Sequence, residues 1–448
     1  SHDEENYEDP WQALVRYSVA GTVDGVPMIF PGQELGISRT FGYLHYEENF
    51  GKQIAHFKRF NSMMPAWNDT VFGNDQLYPV YQGIGQARLA SPALRSPNRF
   101  FLNEDGGNQT IYGVAKYETR NGSPAHSDVV FAFANTNRDV APSGNFHINH
   151  DTDSNGVNDY GIKPNRSYGL KNIAAYQAIQ TNRRSLYVNR KTGSQLLNDG
   201  IFVAMNRVPT AADDPNTPQN ESRDAWAAAP FEAQYLKVFD ITPPATAPGA
   251  PTPLTPNSYG YVIEGAGGLG GVTYTWAAVG PDSEGIQPIY KVTYQVNNGQ
   301  PGFFYTYNTF NTFQLNAGNT LTVTVQAVNP NEVLNGGSPG AASPTVSLRV
   351  ISANDDDDGD GLTNAEEDAA GTNPFEPAST FQITSIARTN GGFVVTWSSV
   401  AARKYVIDGA STPLGTYTAV SGEVTANGPS TTQFVAAGPA FFRVRLVP

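Results

Sequence analysis

Leu321-Thr-Val323-Thr-Val325-Gln-Ala327 is apolar at every second residue. That is the period of a strand with one face in a core and the other in water. The run extends over Thr320–Asn329, and the same rhythm returns at Thr273–Trp276, Tyr290–Val296 and Phe303–Tyr307. Short alternating strands separated by turn residues describe a β-sandwich over 257–352.

Working outward, both flanks read the same way. Upstream, strands are expected at Ile111–Tyr117, Asp128–Ala134, Phe146–Ile148, Leu186–Val188, Gly200–Met205 and Tyr235–Ile241. Downstream they are expected at Phe381–Ile386, Phe393–Ser398, Lys404–Ile407, Tyr417–Val420 and Phe441–Val447. Pro243 to Pro256 is a Pro-rich, semi-rigid linker between two such blocks. Composition agrees: charged residues are only 15 %, against 44 Gly, 32 Pro, 22 Tyr and 24 Phe. That balance suits turn-rich β modules rather than helical bundles. A length of 448 residues allows two to four domains.

The net charge of −13, with no clustered Lys and Arg, argues against a nucleic-acid or anionic-membrane partner. No run reaches 18 apolar residues, so no membrane span is expected. With no cysteine, neither a disulfide framework nor a thiolate zinc site is possible.

The sharpest motif is Asp356-Asp-Asp358-Gly-Asp360-Gly361-Leu362-Thr-Asn364-Ala-Glu-Glu367, a gapless D-x-D-x-D-G-x5-E calcium loop. Asp356, Asp358 and Asp360 supply carboxylates at positions one, three and five. Leu362 offers its carbonyl, Asn364 stands at nine, and Glu367 binds through both oxygens at twelve. So many carboxylates repel one another unless a cation joins them. An unstructured acidic linker is the alternative. A second loop, Asp151-Thr-Asp153-Ser-Asn155-Gly-Val-Asn-Asp159, begins like a calcium loop but has Ile162 at twelve, leaving Asp159 as a substitute. Calcium and a solvated acidic turn stand equal there. Tyr305, Tyr307, Phe310 and Phe313 are either a sugar-stacking platform or ordinary core packing.

The N-terminal segment differs from all of this. His2-Asp3 precedes a helical stretch, Pro10 to Val23, with Asp9 as its cap. Val26–Phe30 then reads as a strand buried on both faces, and Leu77–Ala90 as a second helix stopped by Ser91-Pro92. Residues 38–76 form an aromatic-rich loop. Helix, buried strand, loop, helix is the order of a βα unit.

His2-Asp3, Gly25-Val-Pro-Met-Ile-Phe-Pro-Gly-Gln-Glu34 and Gln86-Ala-Arg-Leu-Ala-Ser-Pro-Ala-Leu94 together resemble the end of an alpha-amylase-family (glycoside hydrolase family 13) barrel. The resemblance is close over residues 1–100 and looser over the sandwich that follows. It implies a (β/α)8 barrel with its site at the strand C-termini. Asp3 would then be the transition-state stabiliser, His2 a sugar ligand and Glu34 a rim residue. It also implies an α-glucan substrate and a retaining mechanism, with the nucleophile and general acid upstream of Ser1. One strand and two helices cannot close a barrel, so an N-terminal barrel fragment is an expected partner. The 356–367 loop resembles a thrombospondin type 3 or dockerin repeat, and 257–352 resembles an immunoglobulin or fibronectin III module.

The expected fold class is mainly β and multidomain: a remnant of a (β/α)8 barrel followed by several antiparallel β-sandwich modules. The expected plan is barrel end (1–100), sandwich (101–242), linker (243–256), fibronectin-like module (257–352), calcium loop (353–378) and terminal sandwich (379–448). The expected setting is a secreted or cell-surface bacterial glycosidase that uses calcium. The competing reading is a non-enzymatic carbohydrate-binding or surface-structural protein with a relic barrel segment.

Overall fold

The computed structural model describes residues 10–29, 33–35, 78–106, 110–137, 139–175, 188–205, 233–253, 259–265, 267–333 and 340–447. The chain is mostly β, with many antiparallel sheets and few helices, and no barrel closes among the described residues. It divides into two compact units. The first holds residues 1–245, 281–288 and 328–339, and the second holds 246–280, 289–327 and 340–448.

In the first unit, helix α1 (Pro10–Ala20) opens on proline, whose missing N–H costs nothing at a helix start. Helix α2 (Tyr78–Ala90) stops at Ser91, and a short α3 (Pro92–Arg95) follows. Strands β1 (Arg99–Phe101), β2 (Ile111–Tyr117) and β3 (Val129–Asn135) come next, then β4 (Ser143–Phe146), β5 (Ser167–Asn172) and β6 (Val188–Thr192). Helix α4 (Gly193–Asp199), β7 (Ile201–Ala204) and β8 (Ala233–Asp240) complete the set. Six strands form an antiparallel sheet in the order β1-β2-β3-β8-β5-β6, and β4 pairs with β7.

This sheet is covered on both faces, so β3, Val-Val-Phe-Ala-Phe-Ala-Asn, is buried at every position. Val130 and Ala132 meet a helical layer that includes Leu14, Tyr17, Tyr81, Ile84 and Leu94. Phe131 and Phe133 face the opposite core with Phe146, Tyr160 and Ile201. The helical layer is pinned where α1 ends. The Tyr235 hydroxyl donates to the Ser18 carbonyl, and Arg88 donates to the carbonyls of Gly21 (3.0 Å), Val23 (2.6 Å) and Leu94 (2.9 Å). A Cβ on Gly21 would stand 2.5 Å from Tyr235 Oη and 2.7 Å from Ile84 Cγ2, so glycine is required there.

Two expectations are corrected in this unit. Residues 26–29 form no strand, and Val26 and Met28 are 95 % and 74 % exposed. An apolar run becomes a buried strand only where neighbouring strands pair with it, and no strand among the described residues does so. The Phe146–Ile148 strand ends at Phe146, because its partner β7 begins at the opposing Ile201. Ile148 is still fully buried, but outside the ladder.

The second unit contains two sandwiches. Its first strands are β9 (Thr252–Pro253), β10 (Tyr261–Ile263), β11 (Leu269–Thr275) and β12 (Ile289–Val296). They are followed by β13 (Gly302–Thr306), β14 (Phe310–Asn316), β15 (Thr320–Val328) and β16 (Val346–Ile351). One sheet runs β10-β16-β15-β12-β13 and the other β14-β11-β9. Leu321, Val323, Val325 and Ala327 of β15 all turn inward, as the period-two pattern requires. Part of the Pro-rich linker, Thr252–Pro253, is drawn onto β11 as an edge strand, where proline's missing donor is harmless. Of the four aromatics left open between a platform and core packing, Phe313 packs on the core with Tyr274 and Tyr294, while Tyr307 and Phe310 are exposed.

Helix α5 (Asn364–Ala370) then leads to β17 (Ile383–Thr389), β18 (Gly392–Ser398), β19 (Lys404–Ala410) and β20 (Thr418–Ala419). The chain ends with β21 (Val424–Thr425), β22 (Ser430–Ala436) and β23 (Phe441–Val447). The sheet β17-β18-β22 packs on a sheet in which β19 pairs with β20, β21 and β23. Trp397 and Tyr405 meet edge-on at 5.9 Å in the core between them.

Candidate metal centre

The described site is the loop that enters α5. Thr363 and Glu366 form a capping box: Thr363 Oγ1 accepts from Glu366 N (3.3 Å), and the Glu366 carboxylate accepts from Thr363 N (2.8 Å). That start fixes Glu367 in the first turn, pointing into the protein. Asn364 is fully buried; its Oδ1 accepts from Asp357 N (3.2 Å) and its Nδ2 donates to the Ser352 carbonyl (2.8 Å). The loop is therefore tied off behind the acidic residues.

Within the loop the backbone curls around carboxylates. Asp356 accepts from Gly359 N (2.7 Å) and Gly361 N (2.9 Å). One oxygen of Asp358 accepts from Asp360 N (3.1 Å), and one oxygen of Asp360 from Leu362 N (2.8 Å). Gly361 has φ +98°, a conformation that a side chain would strain. Asp356, Asp358 and Asp360 each bring an oxygen within 4.8 Å of the others.

What remains is decisive for the chemistry. Asp358 Oδ2, Asp360 Oδ2 and Glu367 Oε2 are buried and have no hydrogen-bond partner among the described residues. An unpaired buried carboxylate oxygen is costly. Burial and then the charges of Asp358, Asp360 and Asp356 push the Glu367 carboxyl up to about 7, against a weak opposing bond from the Thr372 hydroxyl (3.3 Å). Carboxylate oxygens of Asp356, Asp358 and Asp360 within 4.8 Å of one another, with no His and no Cys, suit a hard divalent cation of calcium type. The residues present fit the ion.

The loop is fastened on two sides. Toward β10 and β16, Asp368 accepts from the Tyr261 hydroxyl (2.9 Å), Phe375 meets Tyr261 edge-on at 5.8 Å, and Arg349 pairs with Asp357 at 3.2 Å while lying over the Phe375 ring. Burial and the Asp368 carboxylate push the Tyr261 phenol up, so it stays a donor. Toward the terminal sandwich, Gly371 and Thr372 line a cleft of about 230 Å³ with Phe381, Val400 and Tyr405.

Other expected site residues are placed as follows. His2 and Asp3 lie outside the described residues. Glu34 sits half-buried on a single 3-10 turn, Gln33–Leu35. Asp151, Asp153 and Asp159 each bring an oxygen within 4.8 Å of the others. There Asp151 accepts from Asn155 N (3.2 Å) and Gly156 N (2.8 Å), and Asn155 Oδ1 caps Val157 N. Asp159, fully buried, already accepts from Thr152 and from the Tyr117 hydroxyl. Thr372, Arg349 and Tyr261 escape sequence reasoning, because they meet the loop only after folding. The one local hint is that Thr372 lies five residues beyond Glu367.

Comparison with known proteins adds one family. Residues 356–377 match the bacterial TSP3 repeat, a calcium-binding and extracellular type of repeat. No curated protein matches the chain. Among solved structures, it is similar to the FN1–FN3 domains of chicken CNTN1, with 11 % identity and TM-score 0.20 over 72 % of this chain and 88 % of that one. It is similar to a gamma-CGTase from Alkalophilic bacillus clarkii, with 12 % identity and TM-score 0.25 over 98 % of this chain and 47 % of that one. A third is a beta-1,2-glucanase from Parabacteroides distasonis, with 11 % identity and TM-score 0.17 over 56 % of this chain and 35 % of that one. The chain thus spans less than half the length of either enzyme. No helix among the described residues is long and apolar enough to cross a membrane.

Proposed function

We propose that residues 353–378 take up one calcium ion and thereby brace the β9–β16 sandwich against the terminal one. The observation that carries this reading is the trio of buried, unbonded oxygens on Asp358, Asp360 and Glu367. Asp356, Asp358, Asp360 and Glu367 are the anionic ligands, the Leu362 carbonyl a neutral one, and Asn364 closes the loop behind them. Bound calcium neutralises the cluster and crosslinks loop to helix; no reaction runs through it. The proposal is confined to this loop, since the oxygens of Asp159 at the Asp151 loop already have donors.

The brace is tested by limited proteolysis of the full chain. With calcium the 353–378 segment should resist cleavage. Chelation should open it and release the terminal sandwich as a discrete fragment. The same cleavage pattern in both conditions would overturn the bracing role.

The wider setting we propose is a secreted bacterial protein of the alpha-amylase family, of which this chain is a part that contacts α-glucans. Support comes from the ordered motifs at His2-Asp3, Gly25–Glu34 and Gln86–Leu94, and secretion is supported by the extracellular character of the TSP3 repeat. In that reading Asp3 stabilises an oxocarbenium-like transition state and His2 and Glu34 hold sugar. The nucleophile and general acid of a retaining site come from a separate barrel segment. The chain alone should not hydrolyse starch; turnover by it would overturn the assignment of those two groups elsewhere.

A further inference from the structure

Strand β23 carries Arg443 and Arg445 two residues apart, so both leave the same face. The register sets Arg443 opposite Asp408 of β19. The Asp408 carboxylate is buried. It accepts from Arg443 Nε and Nη2, both at 3.2 Å, and from Arg445 Nε at 3.1 Å. One carboxylate balances one guanidinium, so the second charge is surplus. The Arg443 guanidinium also lies 4.7 Å from the Tyr417 ring centroid, which holds it in place.

Both side chains stay about half exposed, at 57 % and 48 %. Arg443 Nη1 and both terminal nitrogens of Arg445 have no partner among the described residues. The result is two planar donor groups, pre-oriented by a buried anion beneath them and open to solvent above. Their surroundings share the sign: residues 379–448 hold five Lys and Arg against two Asp and Glu, a local +3 in a chain of −13. Lys404 is paired with Glu423 at 2.9 Å, so of the three surplus charges one belongs to the arginine pair and the other two to Arg388 and Arg403.

We propose that the Arg443–Arg445 face binds the carboxylates of an acidic polysaccharide, such as a polyuronate. Guanidinium forks match carboxylate geometry, and holding them in advance lowers the ordering cost of binding. Charge density decides between polyanions. Nucleic acid and anionic bilayers need a broad basic surface, whereas this face offers one open fork, on Arg445, beside the free Nη1 of Arg443 on an otherwise acidic chain. One carboxylate per ring of a hydroxyl-rich polymer, spaced more widely than the phosphates of a duplex, fits it better. The site shares no residue with the calcium loop, so the two proposals stand or fall separately.

The test uses the calcium-loaded full chain and polygalacturonate as probe, with starch, duplex DNA and phosphatidylserine vesicles alongside. Retention by polygalacturonate is expected, weakening with added salt. Arg445→Gln leaves Arg443 on Asp408, so its thermal midpoint should hold while affinity drops about tenfold, as for loss of one charge-assisted donor group. Equal polygalacturonate affinity in wild type and Arg445→Gln would overturn the proposal, as would binding to DNA or vesicles with none to polygalacturonate.

Discussion

Glu367 shows how a single residue sets the behaviour of the metal-free loop. Its folded carboxyl titrates near 7 rather than at the ordinary 4.5, because it is buried among Asp358, Asp360 and Asp356. A carboxyl whose pKa is raised by folding favours the fold at low pH. Its contribution is complete below about 4.5 and is lost as pH rises through about 7. Calcium requires the ionised form, so uptake near neutrality should expel a proton from Glu367. Calorimetry at pH 7 in two buffers of different ionisation enthalpy should give different heats, converging well above that pH; equal heats at pH 7 would contradict the assignment. Gly361→Ala at φ +98° should cost the calcium-bound loop about 1–3 kcal/mol, read as a lower calcium-dependent melting temperature. Both features are half-visible in the sequence. The D-x-D-x-D-G-x5-E spacing marks the ligands, but burial and charge crowding exist only once Thr363 and Glu366 have set the helix start.

At the scale of elements, contacts distant in sequence decide what spacing cannot. Tyr261→Phe keeps the ring against Phe375 and removes the hydroxyl donated to Asp368 at 2.9 Å. It should cost about 1 kcal/mol, visible as an earlier loss of the calcium-dependent transition in a thermal melt. In the first unit, Gly21→Ala sets a methyl against Tyr235 and Ile84, and overpacking of this kind costs about 1–3 kcal/mol; an unchanged denaturation midpoint would show that α1 packs otherwise.

The same scale explains what was legible beforehand. Leu321–Ala327, Ile111–Tyr117 and Phe441–Val447 announce themselves by alternation or by continuous apolar character, and each is a strand. Ser430–Ala436 escapes because three hydroxyl residues and a glutamine mask its period, and Ser167–Asn172 because a glycine and three polar residues, Ser167, Lys171 and Asn172, interrupt it. Val26–Phe30 errs in the other direction. It has strand composition, but residues 26–29 have no strand beside them among the described residues, and pairing rather than propensity makes a strand.

Over the whole molecule, the mainly β character follows from turn-rich composition and short alternating runs, and the structure bears it out. The sequence did not reveal that helices α1, α2 and α3 cover one face of the six-stranded sheet, since βα-unit order suggested a parallel layer instead. Nor does a net charge of −13 reveal that the last 70 residues are basic and hold an arginine pair over Asp408. Averages conceal local fields. The 353–378 loop touches two sandwiches, through Tyr261 and Arg349 on one side and Thr372 on the other, so the proposed calcium would act beyond its own loop. The most direct measurement is a calorimetric calcium titration of the chelator-stripped full chain beside the Asp358→Ala/Glu367→Ala variant. One equivalent taken up at Asp356–Glu367 by the parent chain and absent from the variant is the expected result; unchanged uptake in the variant, or none in the parent, would contradict the calcium assignment.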